Sequence, residues 1–140
     1  MTPRARTTRP TDADYARLLA FRTGLRRFLH WSEQQAAGAG LTPAQHQLML
    51  AIRGHTDPDG PTIADVADAL LLRHHSAVEL ATRAEQHGLV ARRADRHDGR
   101  VIRLVLTRNG RARLEDLSAA HLEELHRLRP RMDALWAGLD

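Results

Sequence analysis

Between Thr62 and Leu106 the period of the apolar residues changes once, from helical to alternating, and this change restricts the fold more than any other feature of the chain. Thr62 is placed to cap a short helix whose buried positions are Ile63, Val66, Ala67 and Leu70, with Asp65 near its positive end. A second helix follows closely, with Ala77, Leu80, Ala81 and Ala84 facing inward and Gly88 where a left-handed terminator is expected. From Leu89 the period is two. Leu89 to Ala94 and Val101 to Leu106 read as strands, the second with Ile102, Leu104 and Leu106 on one face and Val101, Arg103 and Val105 on the other. Asp95-Arg96-His97-Asp98-Gly99-Arg100 lies between them as a charged hairpin tip, with Gly99 able to take the positive φ a turn needs. Two short helices, a tight turn and an adjacent hairpin make a winged helix-turn-helix.

The flanks are helical. Tyr15, Leu18, Leu19, Arg22, Leu25, Phe28 and Leu29 fall at three- and four-residue spacings, which predicts a long amphipathic helix from Asp14 to about Gln35. Thr42, Pro43 and Gln45 form a helix start leading into Leu48, Met49 and Ile52, with a stop near Arg53-Gly54 and a loop from His55 to Pro61. After the hairpin, Thr107 caps a helix with Leu114, Leu117, His121, Leu125 and Leu128 on one stripe. Pro130 is expected to break it, leaving Met132, Leu135, Trp136 and Leu139 to a final short helix. Residues 1–11, with two Pro, four Thr and three Arg and no apolar period, read as a flexible arm ahead of a single domain over 12–140. The fold class is mainly α with a small β-hairpin wing.

Charge suggests a partner, although a merely solvated basic surface would read the same way. The net charge is +4, yet residues 73–113 hold ten Arg against four acidic residues, a local +6, so the remainder is slightly acidic. A basic segment this concentrated suits a polyanion, because phosphate neutralisation supplies most non-specific nucleic-acid affinity. The second helix of the pair is sized for a major groove about 12 Å wide. It begins with Arg73, His74, His75 and Ser76, followed by Val78 and Glu79, so its polar start and positive dipole end face the DNA. Arg96, His97 and Arg100 at the hairpin tip can reach the adjoining minor groove. Val78 also suits packing or a thymine methyl, and an Asp98–Arg100 pair would serve equally to stiffen the hairpin.

Leu70 to Leu80, Gly88-Leu89-Val90, Asp98-Gly99-Arg100 and Leu104 to Gly110 together resemble the MarR family of bacterial regulators, a likeness running from about Tyr15 to the C-terminus. Its most specific part is the wing, strand and helix start from Asp95 to Gly110. Two positions depart from the family pattern: His97 stands where Arg is usual, and Arg73 where Ser or Thr often caps the recognition helix. The resemblance implies a winged helix lobe over about 42–106 and a homodimer held by helices within 12–37 and 107–140. It also implies double-stranded DNA with a pseudo-palindromic operator as partner, and repression relieved by a small aromatic or anionic effector. The effector's place would be between the first, second and fifth helices, where Phe21, Arg22, Leu25, Trp31, His46 and Met49 are candidate lining residues and Arg22 a carboxylate or phenolate partner. The same six serve equally as core or dimer interface.

Other classes are disfavoured. The absence of cysteine removes disulfides, thiolate metal sites and cysteine nucleophiles. The nine His show no metal-ligand spacing: His121 and His126 are five apart, and His74 and His75 diverge by about 100° on a helix. No nucleophile elbow, phosphate loop or paired-carboxylate motif appears, so neither an enzyme nor a cofactor is expected. No apolar run approaches a membrane span, and the N-terminus has no signal-peptide core, which predicts a cytoplasmic protein. The alternative from another class is a protein-interaction module that keeps the winged fold without reading DNA.

Overall fold

Among the described residues, three of the five helices open on the same device, a threonine capping box that satisfies two orphan N–H groups at once. The computed structural model describes residues 9–139. Helix α1 (Asp12–Gly38) starts on Thr11 and Asp14, α2 (Pro43–Arg53) on Thr42 and Gln45, and α3 (Ile63–Leu70) on Thr62 and Asp65. Helix α4 (His74–Gln86) follows α3 across a three-residue turn. Strands β1 (Val90–Ala94) and β2 (Ile102–Leu106) pair antiparallel with Val90 opposite Leu106 and Ala94 opposite Ile102. Helix α5 (Arg108–Ala137) starts on Thr107, whose hydroxyl accepts from the Gly110 N–H and donates to the Gly88 carbonyl. Of the arm expected over residues 1–11, residues 1–8 lie outside the described ones, and Thr11 is the cap of α1.

The core lies within the winged lobe. Leu48, Met49 and Ile52 of α2, Val66 of α3, Ala77, Ala81 and Ala84 of α4, Leu89, Val90, Leu104 and Leu106 of the hairpin, and Leu114 and Leu117 of α5 are all buried. Full burial of a side chain such as Leu48 or Leu104 contributes roughly 1.5–3 kcal/mol. Leu104 and Leu106 face inward as the alternation predicts, while Ile102, nearer the wing tip on the same face, emerges half exposed. Two glycines admit close backbone approaches that fix the wing on this core. A Cβ on Gly60, whose φ is +94°, would lie 2.2 Å from the Leu104 carbonyl oxygen, and one on Gly110 would lie 2.0 Å from that of Leu89.

The two long helices extend beyond the lobe. At about 1.5 Å per residue they span roughly 40 and 45 Å. Yet α1 buries only Ser32 and Ala36, and α5 only Gly110, Leu114 and Leu117. The break expected at Pro130 does not occur, and the two helices expected after the hairpin are one. Proline removes a single N–H bond, to the carbonyl of His126, and that residue is exposed, so water can serve the freed oxygen. Ion pairs from Arg127 to Glu124 and from Arg129 to Asp133 support the turns on either side. Among the described residues, no helix is long and apolar enough to cross a membrane.

Candidate nucleic-acid interface

The turn between α3 and α4 closes without glycine. Leu71 takes the left-handed conformation (φ 55°, ψ 43°), and the Leu72 N–H returns to the Ala67 carbonyl at 2.9 Å. Arg73 then enters α4 in an extended conformation, and no side chain caps the helix, so its first-turn N–H groups keep no side-chain partner. The fully buried Ala77, Ala81 and Ala84 set the inward face. At about 100° per residue, the opposite face carries His75, Glu79, Thr82 and Gln86, with Val78 and Arg83 at its margins. Of the residues singled out from sequence, Arg73, His74, His75 and Glu79 are exposed, and Ser76 and Val78 are half-buried. Thr82, Arg83 and Gln86 were not singled out, although the period of the three alanines marks them. Arg92 of β1 braces this helix, donating to Glu85 at 2.8 Å and to the Thr82 hydroxyl at 3.1 Å.

The wing is fastened to the loop between α2 and α3. Asp95 accepts from Arg103 Nε at 2.6 Å and from the backbone N–H groups of His97 and Asp98 at 2.9 and 3.0 Å. The Arg103 bond chiefly, and then the two backbone bonds, hold the Asp95 carboxyl at a pKa of about 2. The same guanidinium donates to the Gly60 carbonyl at 2.8 Å and lies 3.4 Å from Asp57. Thr62 forms a single bridge with Arg103, adding backbone contact at this point. Beyond the clamp, Arg96 lies 3.2 Å from Asp59 with its side chain 75% exposed. Arg100 grips Asp98 with two bonds, of 3.0 and 3.2 Å, while 92% exposed, and this grip lowers the Asp98 pKa. Exposed pairs of this kind are worth little. Both guanidiniums can exchange a carboxylate for a phosphate or a groove edge, and His97 is exposed between them.

The six residues expected around an effector fall into separate places. Met49 is fully buried within the lobe. Trp31 and His46 meet where α1, α2 and α5 join, each with its ring centroid 4.8 Å from that of His121. His121 Nδ1 is 2.8 Å from the Leu117 carbonyl and Nε2 is 2.7 Å from the Ser32 hydroxyl. A carbonyl only accepts, so Nδ1 carries a proton there, and Nε2 shares its hydrogen bond with the Ser32 hydroxyl. Burial, and then the nearby His121, depress the His46 pKa. From sequence, His121 was placed on the α5 stripe and set aside as a metal ligand, and was not among the residues expected around an effector. Phe21 lies toward the other end of α1, 6.2 Å from Trp136, in a groove of about 480 Å³ shared with Leu18, Leu135 and Leu139. Arg22 and Leu25 are exposed on α1.

Residues 39–101 match the sequence model of the MarR family. A comparison with curated protein sequences gives no match. Among solved structures, a MarR family protein from Bacillus stearothermophilus superposes with a TM-score of 0.73 at 21% identity, over 86% of this chain and 82% of that one. A variant of S. aureus MepR bound to an oligodeoxyribonucleotide gives 0.67 at 20%, over 90% and 98%. CouR from Rhodococcus jostii bound to p-coumaroyl-CoA gives 0.70 at 23%, over 85% and 81%. At these identities the likeness is one of fold.

Proposed function

From the MarR-family character of residues 39–101, we propose that the chain is a sequence-specific, DNA-binding transcription regulator. The observation that carries this reading is a single surface. The uncapped polar face of α4 and the exposed arginines of the wing belong to one stretch of chain, held in fixed relation by Arg92 and Arg103. In this reading α4 enters a major groove, and Arg96, His97 and Arg100 address the neighbouring minor groove. MepR, which shares the fold, binds an oligodeoxyribonucleotide.

The working unit is a homodimer. Tyr15, Leu18 and Leu19 of α1 and Leu122, Leu125 and Trp136 of α5 are each more than half exposed, an apolar area that a second copy would cover. Two-fold symmetry would set the recognition helices about one DNA turn apart, roughly 34 Å, on a pseudo-palindromic operator. Repression relieved by a small aromatic or anionic effector follows by analogy with CouR and its acyl-CoA ligand. Its place would be the junction of Trp31, His46 and His121, or the stretch nearer the start of α1 that carries Phe21, Arg22 and Leu25.

Selection of genomic fragments by the purified protein, followed by titration of the enriched sequence against random DNA at physiological salt, tests the reading. A palindromic site preferred by ~10³-fold or more is expected. Equal, weak binding to all sequences would refute a specific regulator and favour a winged interaction module.

A further inference from the structure

Helix α4 carries two acidic residues, and they are placed differently. Glu85 on the flank is engaged by Arg92 at 2.8 Å. Glu79 is exposed in the second turn, about 160–200° from Ala77 and Ala81 and so at the middle of the outward face. Among the described residues it makes no ion pair or hydrogen bond, and neither His75 nor Arg83, one turn away on either side, engages it. A carboxylate facing phosphates from within the most basic segment of the chain opposes binding to DNA in general. A surface shaped for affinity alone would not hold it there.

A carboxylate accepts hydrogen bonds and donates none at neutral pH. In the major groove only the N4 amine of cytosine and the N6 amine of adenine donate; guanine N7 and O6 and thymine O4 are acceptors that repel it. Adenine sets its N7 acceptor beside the amine, against the second carboxylate oxygen, whereas cytosine adds no acceptor of its own. We infer that Glu79 is a specificity-determining residue that requires a cytosine amine at one position of each half-site and rejects sites lacking it. Arg83, at the margin of the same face one turn further on, offsets part of its charge. The inference rests on the reading of α4 as the helix that enters the groove.

The test uses the full-length protein and its selected operator, with every half-site position substituted in turn by the other three base pairs. The wild type should show a cytosine whose replacement weakens binding by about tenfold or more. In Glu79→Ala that preference should vanish while discrimination at the other positions persists, and affinity for random DNA should rise several-fold. Glu79→Gln, which pairs bidentately with adenine N6 and N7, should move the preference from cytosine to adenine. Circular dichroism checks that both variants fold. Retention of the full wild-type base profile in both, or unchanged random-DNA affinity in Glu79→Ala, overturns the role of Glu79 and leaves the regulator standing. Absence of any base preference in the wild type itself overturns the regulator reading as well.

Discussion

Leucine is poorly suited to left-handed backbone, because its Cβ crowds the following carbonyl at a cost of roughly 1–2 kcal/mol. Leu71 occupies that region in the helix-turn-helix turn while the residue is 92% exposed, so no burial offsets the strain. Leu71→Asn should therefore raise stability by about 0.5–1 kcal/mol and the midpoint of a thermal melt by a few degrees, since asparagine tolerates this conformation. A lower midpoint would show that the leucine supports the turn. Nothing in Leu70-Leu71-Leu72 announces the turn locally; it was legible only because inward-facing residues resume at Ala77 in a new register. His46 gives a second prediction. Above the ordinary histidine pKa of 6.5 it is neutral in both folded and unfolded chains, and stability is full. As the pH falls below 6.5, the unfolded chain takes up a proton that the buried ring resists, so stability declines until the lowered folded pKa is also passed. In melts recorded from pH 7.5 to 5, His46→Gln should flatten this decline; an unchanged slope would place its origin elsewhere.

Among the elements, the wing combines what the sequence made plain with what it hid. The alternation in Val101 to Leu106 and the charged tip identified the hairpin. The clamp was not legible, because Arg103 reads locally as an outward strand residue, while its acceptors Gly60 and Asp57 lie more than forty residues earlier. Arg103→Ala should loosen the wing from the α2–α3 loop and weaken operator binding by up to about tenfold without changing which bases are preferred on α4. Arg103→Lys keeps the charge but not the planar fork, and should fall nearly as far. Full binding by the lysine variant would mean that charge, not geometry, is what Arg103 supplies. The Asp95 partner remains ionised until the pH nears 2, so the clamp's contribution is complete above about 3.8 and is lost as the pH falls through 2. Pro130 teaches the complementary lesson: a breaker in the sequence breaks only where the freed carbonyl is left unserved, and on the open face of α5 water can reach it.

The whole molecule is a small lobe carrying two long helices whose apolar faces exceed what one chain can cover. Trp136 and Leu139, apolar residues near the end of the chain, already pointed to this in the sequence, and both are more than half exposed. A Leu19→Glu, Leu122→Glu double variant should sediment as a monomer and lose operator affinity by about a hundredfold or more, since each half-site then binds without the other. Dimers persisting in that variant would move the interface to another surface. On α4 the residues singled out from sequence ended at Glu79. A polar helix start stands out in a sequence, whereas Thr82, Arg83 and Gln86 are marked only indirectly, as the face opposite the alanines that the period turns inward and that the fold buries. Those alanines have a further consequence, for descent. The helix seats on the lobe through three fully buried alanine methyls, with Leu80 packed beside them, while its outer face carries none of the buried residues. His75, Glu79, Arg83 and Gln86 can change with little effect on folding, so duplicated copies of such a gene can acquire new target sites while inheriting the same scaffold intact.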